Sequence, residues 1–368
     1  MSRLQAEGEW VADSFLEIQG TYRRQVARRV AFVGGLALLL VATAFISVSV
    51  GVASLGIDQV WGVVGAALFP ARSTSSDALA ETVVMQLRLP RILLAIVTGV
   101  ALAGAGAVMQ GNLRNPLVSP YTLGLSGGAA FGAALAIVLG TSIVGPTFGV
   151  TASFAIAANA FLFGALTMAF AYAIARLKGM APETLVLGGV ALGYLFAAGV
   201  SALKYVAPPE VLRDLVVWLM GSMSAATWAQ VRLLVPLVLA CMAVLLRYSW
   251  DMNALAAGDE VATNLGVDVA RLRLVCLAAA TLAASATVAF TGIIGFVGLV
   301  APHISRMLIG SDHRFLIHSS CLVGALLLLV SDTLARTVAA PIEIPVGIIT
   351  SLIGAPFFIY LLVRRKVR

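Results

Sequence analysis

The side chains able to do chemistry are few, and most stand at the edges of apolar runs. Arg88 and Arg91, three residues apart, come immediately before the run Ile92–Gln110. A guanidinium there snorkels to lipid headgroups unless something other than orientation holds it. His303, His313 and His318 cluster near one end of neighbouring apolar runs, with no carboxylate or cysteine read as their partner. They read as loop or headgroup residues rather than metal ligands. Asp332 and Glu183 lie at the ends of apolar runs, and no acid falls at the centre of one. Ion-coupled carriers bury carboxylates in mid-membrane, so this pattern counts against a secondary transporter. No GxxxxGK[ST] phosphate loop occurs. The sequence therefore predicts no catalytic set, no metal and no cofactor, and any work done must be driven by a partner.

A second set is acidic. Residues 249–273 read SWDMNALAAGDEVATNLGVDVARLR. Asp251 is predicted to cap a short helix to about Ala257, with Gly258 breaking it. Asp259 is predicted to cap a second helix to about Leu265, which Gly266 ends. Leu255, Val261 and Leu265 give the two helices apolar edges. A segment lying on anionic headgroups would be cationic, whereas this one carries Asp251, Asp259, Glu260 and Asp268. The pattern predicts a rigid bump that meets a protein.

The elements that hold these groups follow from composition. Of 368 residues, 60% are hydrophobic and only 11% charged, against about a quarter charged in soluble domains. Mean hydropathy is +1.00. Lipid must cover such a surface, so the chain is read as an all-α polytopic membrane protein. Ten apolar runs qualify as spans: Ala31–Val52, Ile92–Gln110, Tyr121–Leu139, Ser153–Ala175, Glu183–Leu203, Trp228–Leu246, Leu274–Phe290, Ile294–Leu308, Phe315–Leu334 and Ile344–Val363. Thr141–Gly149 supplies a turn between the third and fourth, and Leu215–Met223 reads as a short interfacial or re-entrant helix. Residues 1–30 form a polar N-terminal segment rather than a cleavable signal, because Ala31–Val52 is too long for a signal core and no small-residue cleavage site follows. Residues 31–363 are the membrane domain, and residues 364–368 form a basic tail.

With both termini inside, seventeen of the 24 Lys and Arg fall on the inner side, as the positive-inside rule requires. The net charge of +7 thus reflects topology. No basic stripe interleaves with aromatics, so no nucleic-acid partner is expected. Cys241, Cys276 and Cys321 sit singly within apolar runs and read as small buried hydrophobes. Gly99, Ala103, Ala107 and Gly111 form a small-residue stripe along the second run, suited to close helix packing. Arg88 and Arg91 fall outside, against the charge bias.

Four stretches carry a family resemblance: LRLPRILLA (Leu87–Ala95) with GAVMQGNLRNPLVSPYTLGLSGG (Gly106–Gly128); LVLGGVALG (Leu185–Gly193); GDEVATNLGV (Gly258–Val267) with FTGIIGFVGLVAPHISR (Phe290–Arg306); and SDTLAR (Ser331–Arg336) with EIPVGIITSLIGAPFFIYLL (Glu343–Leu362). The chain resembles the permease subunits of type II ABC importers, which carry ferric siderophores, haem or cobalamin. That resemblance implies ten spans per subunit and a homodimer in the inner (plasma) membrane with the path at its interface. It also implies two cytoplasmic ATPase subunits and an extracytoplasmic binding protein. Ferric siderophore is the expected cargo, with cobalamin or haem as alternatives. The resemblance makes Arg88, Arg91 and Arg336 the sites that accept glutamates of the binding protein. It makes Asp251, Leu255, Gly258, Asp259, Glu260, Val261, Leu265 and Gly266 the knuckle that the ATPase grips. It places the cytoplasmic gate at Asn115, Leu117, Pro182 and Glu183.

Overall fold

A computed structural model describes residues 2–51, 55–68, 78–140 and 152–364, with most side chains from residue 19 onward. The turn expected at Thr141–Gly149 and the tail residues 365–368 lie outside the described residues. All regular structure among the described residues is helical. In chain order the helices are α1 (Ser2–Ser49), α2 (Ile57–Leu68), α3 (Ala78–Thr82) with a π-helical turn (Val83–Arg88), α4 (Leu89–Asn112), α5 (Leu125–Leu139), α6 (Ala152–Leu177), α7 (Pro182–Val206), α8 (Pro209–Leu219), α9 (Trp228–Arg247), α10 (Ser249–Ala256), α11 (Asp259–Asn264), α12 (Val269–Thr291), α13 (Val297–Ile309), α14 (His313–Ala335) and α15 (Val346–Arg364).

Seven segments among the described residues are long and apolar enough to cross a bilayer: Gln19–Ser49, Ala78–Asn112, Ser153–Leu177, Pro182–Val206, Trp228–Arg247, Val269–Thr291 and His313–Ala335. The third, eighth and tenth expected spans are shorter apolar helices, Leu125–Leu139, Val297–Ile309 and Val346–Leu361. Their starts are trimmed by irregular backbone. Gly124 (φ +85°) stands before α5, and Gly292 (φ +70°) with Phe296 (φ +67°) before α13. Such backbone is tolerated at membrane depth only where protein or a cavity surrounds it. The tyrosine hydroxyl of Tyr121 accepts a bond from the Ile294 amide at 3.0 Å, satisfying one freed donor there. The interfacial helix expected at Leu215–Met223 is observed earlier, at Pro209–Leu219, because Pro209 suits the first helical turn. The boundary expected at residue 30 falls inside the unbroken α1.

The bundle is built around α4, whose side chains are buried through most of its length, with α9, α12, α13 and α14 packed on it. Small residues make this possible, since the gain between apolar helices in lipid comes from backbone approach. A Cβ on Gly99 would collide with the Gly324 carbonyl oxygen, and one on Gly106 with the Gly298 carbonyl oxygen. The stripe read from the sequence thus fixes α4 against α14, and Gly111 at its end lies under the His313 ring. The α5–α6–α7 group forms the other side. By contrast α1 and α7 are mostly exposed apolar surface.

Candidate functional site

At one end of the bundle the π-helical turn and the first turn of α4 set Arg88 and Arg91 beside the end of α14. Arg88 donates to the Val48 carbonyl at 2.7 Å, a cation against the closing carbonyls of α1. Arg91 Nε donates to both oxygens of Asp332 at 3.0 and 3.1 Å, and its Nη1 donates to Glu343 at 2.8 Å. Arg336, four residues after Asp332, donates to the Ser47 carbonyl at 2.7 Å and to its hydroxyl at 2.6 Å. All three arginines are less than a tenth exposed, and Asp332 is fully buried. Within this chain the three arginines therefore belong to an internal network. A guanidinium drawn into a bundle must be paired, and α14 and the loop before α15 supply the pairs. The three still share one recess of about 390 Å³, walled also by Glu343, Ser224 and Ala226.

At the opposite end, α10 and α11 form the knuckle, broken by Gly258 (φ +123°) and closed by Gly266 (φ +84°). Two details differ from expectation. Asp251 and Asp259 sit in the first turns of their helices, with Tyr248 and Gly258 at the caps. Asp259 is drawn instead to Arg273 of α12 at 2.9 Å and to Arg114 at 3.1 Å, which pins the knuckle to the bundle. Leu255 is fully buried and faces inward. Glu260, Val261 and Leu265 remain exposed, with Leu265 at 68% and Trp250 at 62%.

At this same end, Asn115, Pro182 and Glu183 border one cavity of about 660 Å³ together with Leu113, Val186 and Arg114. Leu117 lines a neighbouring cavity of about 590 Å³, which Asn115 also borders together with Gln110, His303, Arg306 and His313. Asn115 Oδ1 accepts from the Leu117 amide at 3.0 Å and holds that loop's turn. Among the described residues no group of three or more His, Cys, Asp or Glu side chains could hold a metal ion.

Sequence reading passed over a cluster beside the knuckle. Asp312 is the N-cap of α14, accepting from the Arg314 amide. It also accepts from Arg314 Nη2 at 2.6 Å, Arg29 Nη1 at 3.1 Å and Asn253 Nδ2 of α10 at 2.8 Å. Burial opposes its ionisation, but the bonds from Arg314 and Asn253 prevail and bring the carboxyl down to about 2. Asn253 Oδ1 accepts from the His313 amide at 2.8 Å, and Arg314 stacks over Trp250 at 4.0 Å. An Asp just before a helical run was the available signal.

The family model described as the FecCD transport family matches residues 39–364. The Fe(3+)-citrate import system permease protein of Bacillus subtilis is 37% identical over 327 residues, 89% of this chain and 93% of that protein. The cobalamin import system permease protein of Halobacterium salinarum is 43% identical over 292 residues, 78% and 75% of the two chains. Other relatives are named for hemin and molybdate. A solved structure described as an inward-facing metal-chelate type ABC transporter is 38% identical, with a TM-score of 0.77 over 91% of this chain and 99% of that one. The chain belongs to the FecCD transport family, whose members here are permeases of ABC importers rather than enzymes.

Proposed function

We propose that this permease forms the path for a metal chelate, with ferric siderophore as the first candidate and cobalamin or haem as the alternatives. Counting the three shorter apolar helices with the seven long ones gives ten spans, with both termini in the cytoplasm of a cell whose plasma membrane it crosses. Two copies pair, as the exposed apolar faces of α7 (Leu187 69%, Tyr194 75%) and α15 (Leu352 66%, Ile359 61%) favour. The path lies between the copies and is closed on the inside by Asn115, Leu117, Pro182 and Glu183. Two ATPase subunits grip the knuckle at residues 249–273 through Glu260, Val261 and Leu265, with Asp251, Leu255, Gly258, Asp259 and Gly266 shaping it. A binding protein docks outside, its glutamates reaching the recess of Arg88, Arg91 and Arg336.

The observation that carries this reading is the placement of the two chemical sets at opposite ends of α14. Asp332, near its last turn, holds Arg91, while Asp312, at its first, holds Asn253 of the knuckle. An importer driven from one side and loaded from the other needs such a division. The family removes the ion-coupled carrier from contention.

The test is reconstitution in liposomes with the partner ATPase and binding protein. Uptake of the chelate retained by that binding protein is expected to require ATP and to stop without the ATPase. Accumulation by this chain alone would refute the reading.

A further inference from the structure

The N-terminal part of α1 lies outside the family match, which begins at residue 39, yet it is bonded to the start of α14. Arg29 reaches Asp312 at 3.1 Å, and the Tyr22 hydroxyl accepts from Arg314 at 3.3 Å. Arg29 also lies over the Phe315 ring, 5.5 Å from its centroid. The same Asp312 holds Asn253 of α10, whose other amide atom accepts from both the His313 amide and His313 Nδ1 at 2.8 and 2.9 Å. One carboxylate thus fastens three elements: the knuckle, the N-terminal helix and α14.

The opposite end of α14 is fastened as firmly. Asp332 holds Arg91 of α4, and Gly324 and Gly99 bring the two helices into backbone contact between the two ends. A helix of 23 residues spans about 35 Å. Close-packed helices move as units rather than bending residue by residue. A displacement of α10 therefore cannot be absorbed at a loose joint before it reaches the outer arginines.

We propose that Asp312 is a positioning residue that locks the knuckle to α14, so that movement of the knuckle is carried through α14 to the Arg88–Arg91–Arg336 recess, with α1 bracing the joint from outside. The inference rests on the functional reading above. It assigns no part in binding cargo or nucleotide to Asp312 itself.

The experiment uses the complex with its ATPase subunits in liposomes. Val338, 68% exposed just beyond α14, is replaced by cysteine, and its rate of modification by a membrane-impermeant maleimide is measured before and after ATP with vanadate. In the otherwise unaltered complex the nucleotide is expected to change that rate. Asp312→Asn is expected to reduce the change by more than half while basal ATP hydrolysis is retained, and Asp312→Glu is expected to restore it. Should Asp312→Asn fail to assemble, Arg314→Gln carries the same expectation, because it removes the paired donors to Asp312 and the stack on Trp250. A full nucleotide response in an assembled variant overturns the proposal. An unaltered complex that never binds the ATPase, or shows no nucleotide response at Val338, instead strikes at the functional reading beneath it.

Discussion

Arg91 and Asp332 are joined head to side across α4 and α14, with Arg91 Nε between the two carboxylate oxygens at 3.0 and 3.1 Å. Arg336 stands 3.7 Å from the same carboxylate, one helical turn away. Removing Asp332 leaves two buried guanidinium groups facing each other without it. Breaking a buried pair from one side costs about 3–5 kcal/mol. Asp332→Asn is therefore expected to lower the melting temperature of the purified permease markedly. Arg91→Met with Asp332→Leu is expected to restore part of the loss, because no charge of that pair is then stranded. Equal stability of Asp332→Asn and the parent would show the pair to be incidental.

The glycines divide into two kinds, and the division predicts opposite responses. Gly99 has the Gly324 carbonyl and Ala325 backbone where a Cβ would go, whereas Gly34 and Gly35 on α1 have nothing within 4 Å. Gly99→Ala forces α4 and α14 apart, and overpacking of this kind costs about 1–3 kcal/mol. Gly34→Ala is expected to be neutral or stabilising by up to about 1 kcal/mol, since glycine weakens a helix interior. Thermal unfolding of the two variants in one detergent separates these outcomes.

How far the sequence alone reaches follows from this contrast. Hydrophobic run length located most of the long helices within a few residues, because lipid-facing composition is a one-dimensional signal; α1 is the exception, its helix beginning at Ser2, well before the apolar run at Ala31. Gly258 and Gly266 marked the knuckle's ends for the same reason: a positive φ is written in the residue type. Partners in space are not. Nothing local to Arg91 announces Asp332 or Glu343, 241 and 252 residues away, whereas Arg336 has Asp332 only one helical turn before it. Asp251 and Asp259 read as caps because local rules favour it, and Asp259 is claimed by Arg273 and Arg114 instead. The shortened α5 and α13 depend on tertiary cover for Gly124 and Gly292, which a hydropathy window does not register.

Asp312 gives the pH dependence a sign. Its carboxyl is held at about 2 in the folded chain, below its ordinary 3.8, by bonds from Arg314 and Asn253 that outweigh burial. A lowered folded pKa contributes stability that is complete above the unfolded value and is lost as pH falls through the folded one. The parent is thus expected to lose stability relative to Asp312→Asn between about pH 4 and pH 2, and the two are expected to converge there. Melting curves over that window check it. A gap unchanged from pH 5 to pH 2 would mean the carboxylate's charge contributes nothing.

The recess gives two substitutions of opposite effect. Glu343 is 38% exposed at its side chain and places a negative charge where the proposed acidic partner must approach. Glu343→Gln is expected to speed association of the binding protein at low salt, and Arg88→Gln to slow it, with both effects shrinking as ionic strength rises. Association rates at two salt concentrations are the measurement. Slower association with Glu343→Gln would reverse the assigned charge of the partner's surface.

On the knuckle, exposure separates shape from contact. Leu255 is fully buried, whereas Leu265 and Val261 stand out at 68% and 43%. Leu255→Ala opens a void, at a cost of about 2–5 kcal/mol, so it is expected to lower thermal stability of the permease even without a partner. Leu265→Glu removes no internal contact and should leave that stability unchanged. It places a charge on apolar surface that the ATPase would have to cover, and a desolvated unpaired charge is strongly unfavourable. Co-purification of the ATPase with Leu265→Glu is therefore expected to fail while the permease itself remains folded. Retention of the ATPase by that variant would move the contact away from α11 and its closing turn.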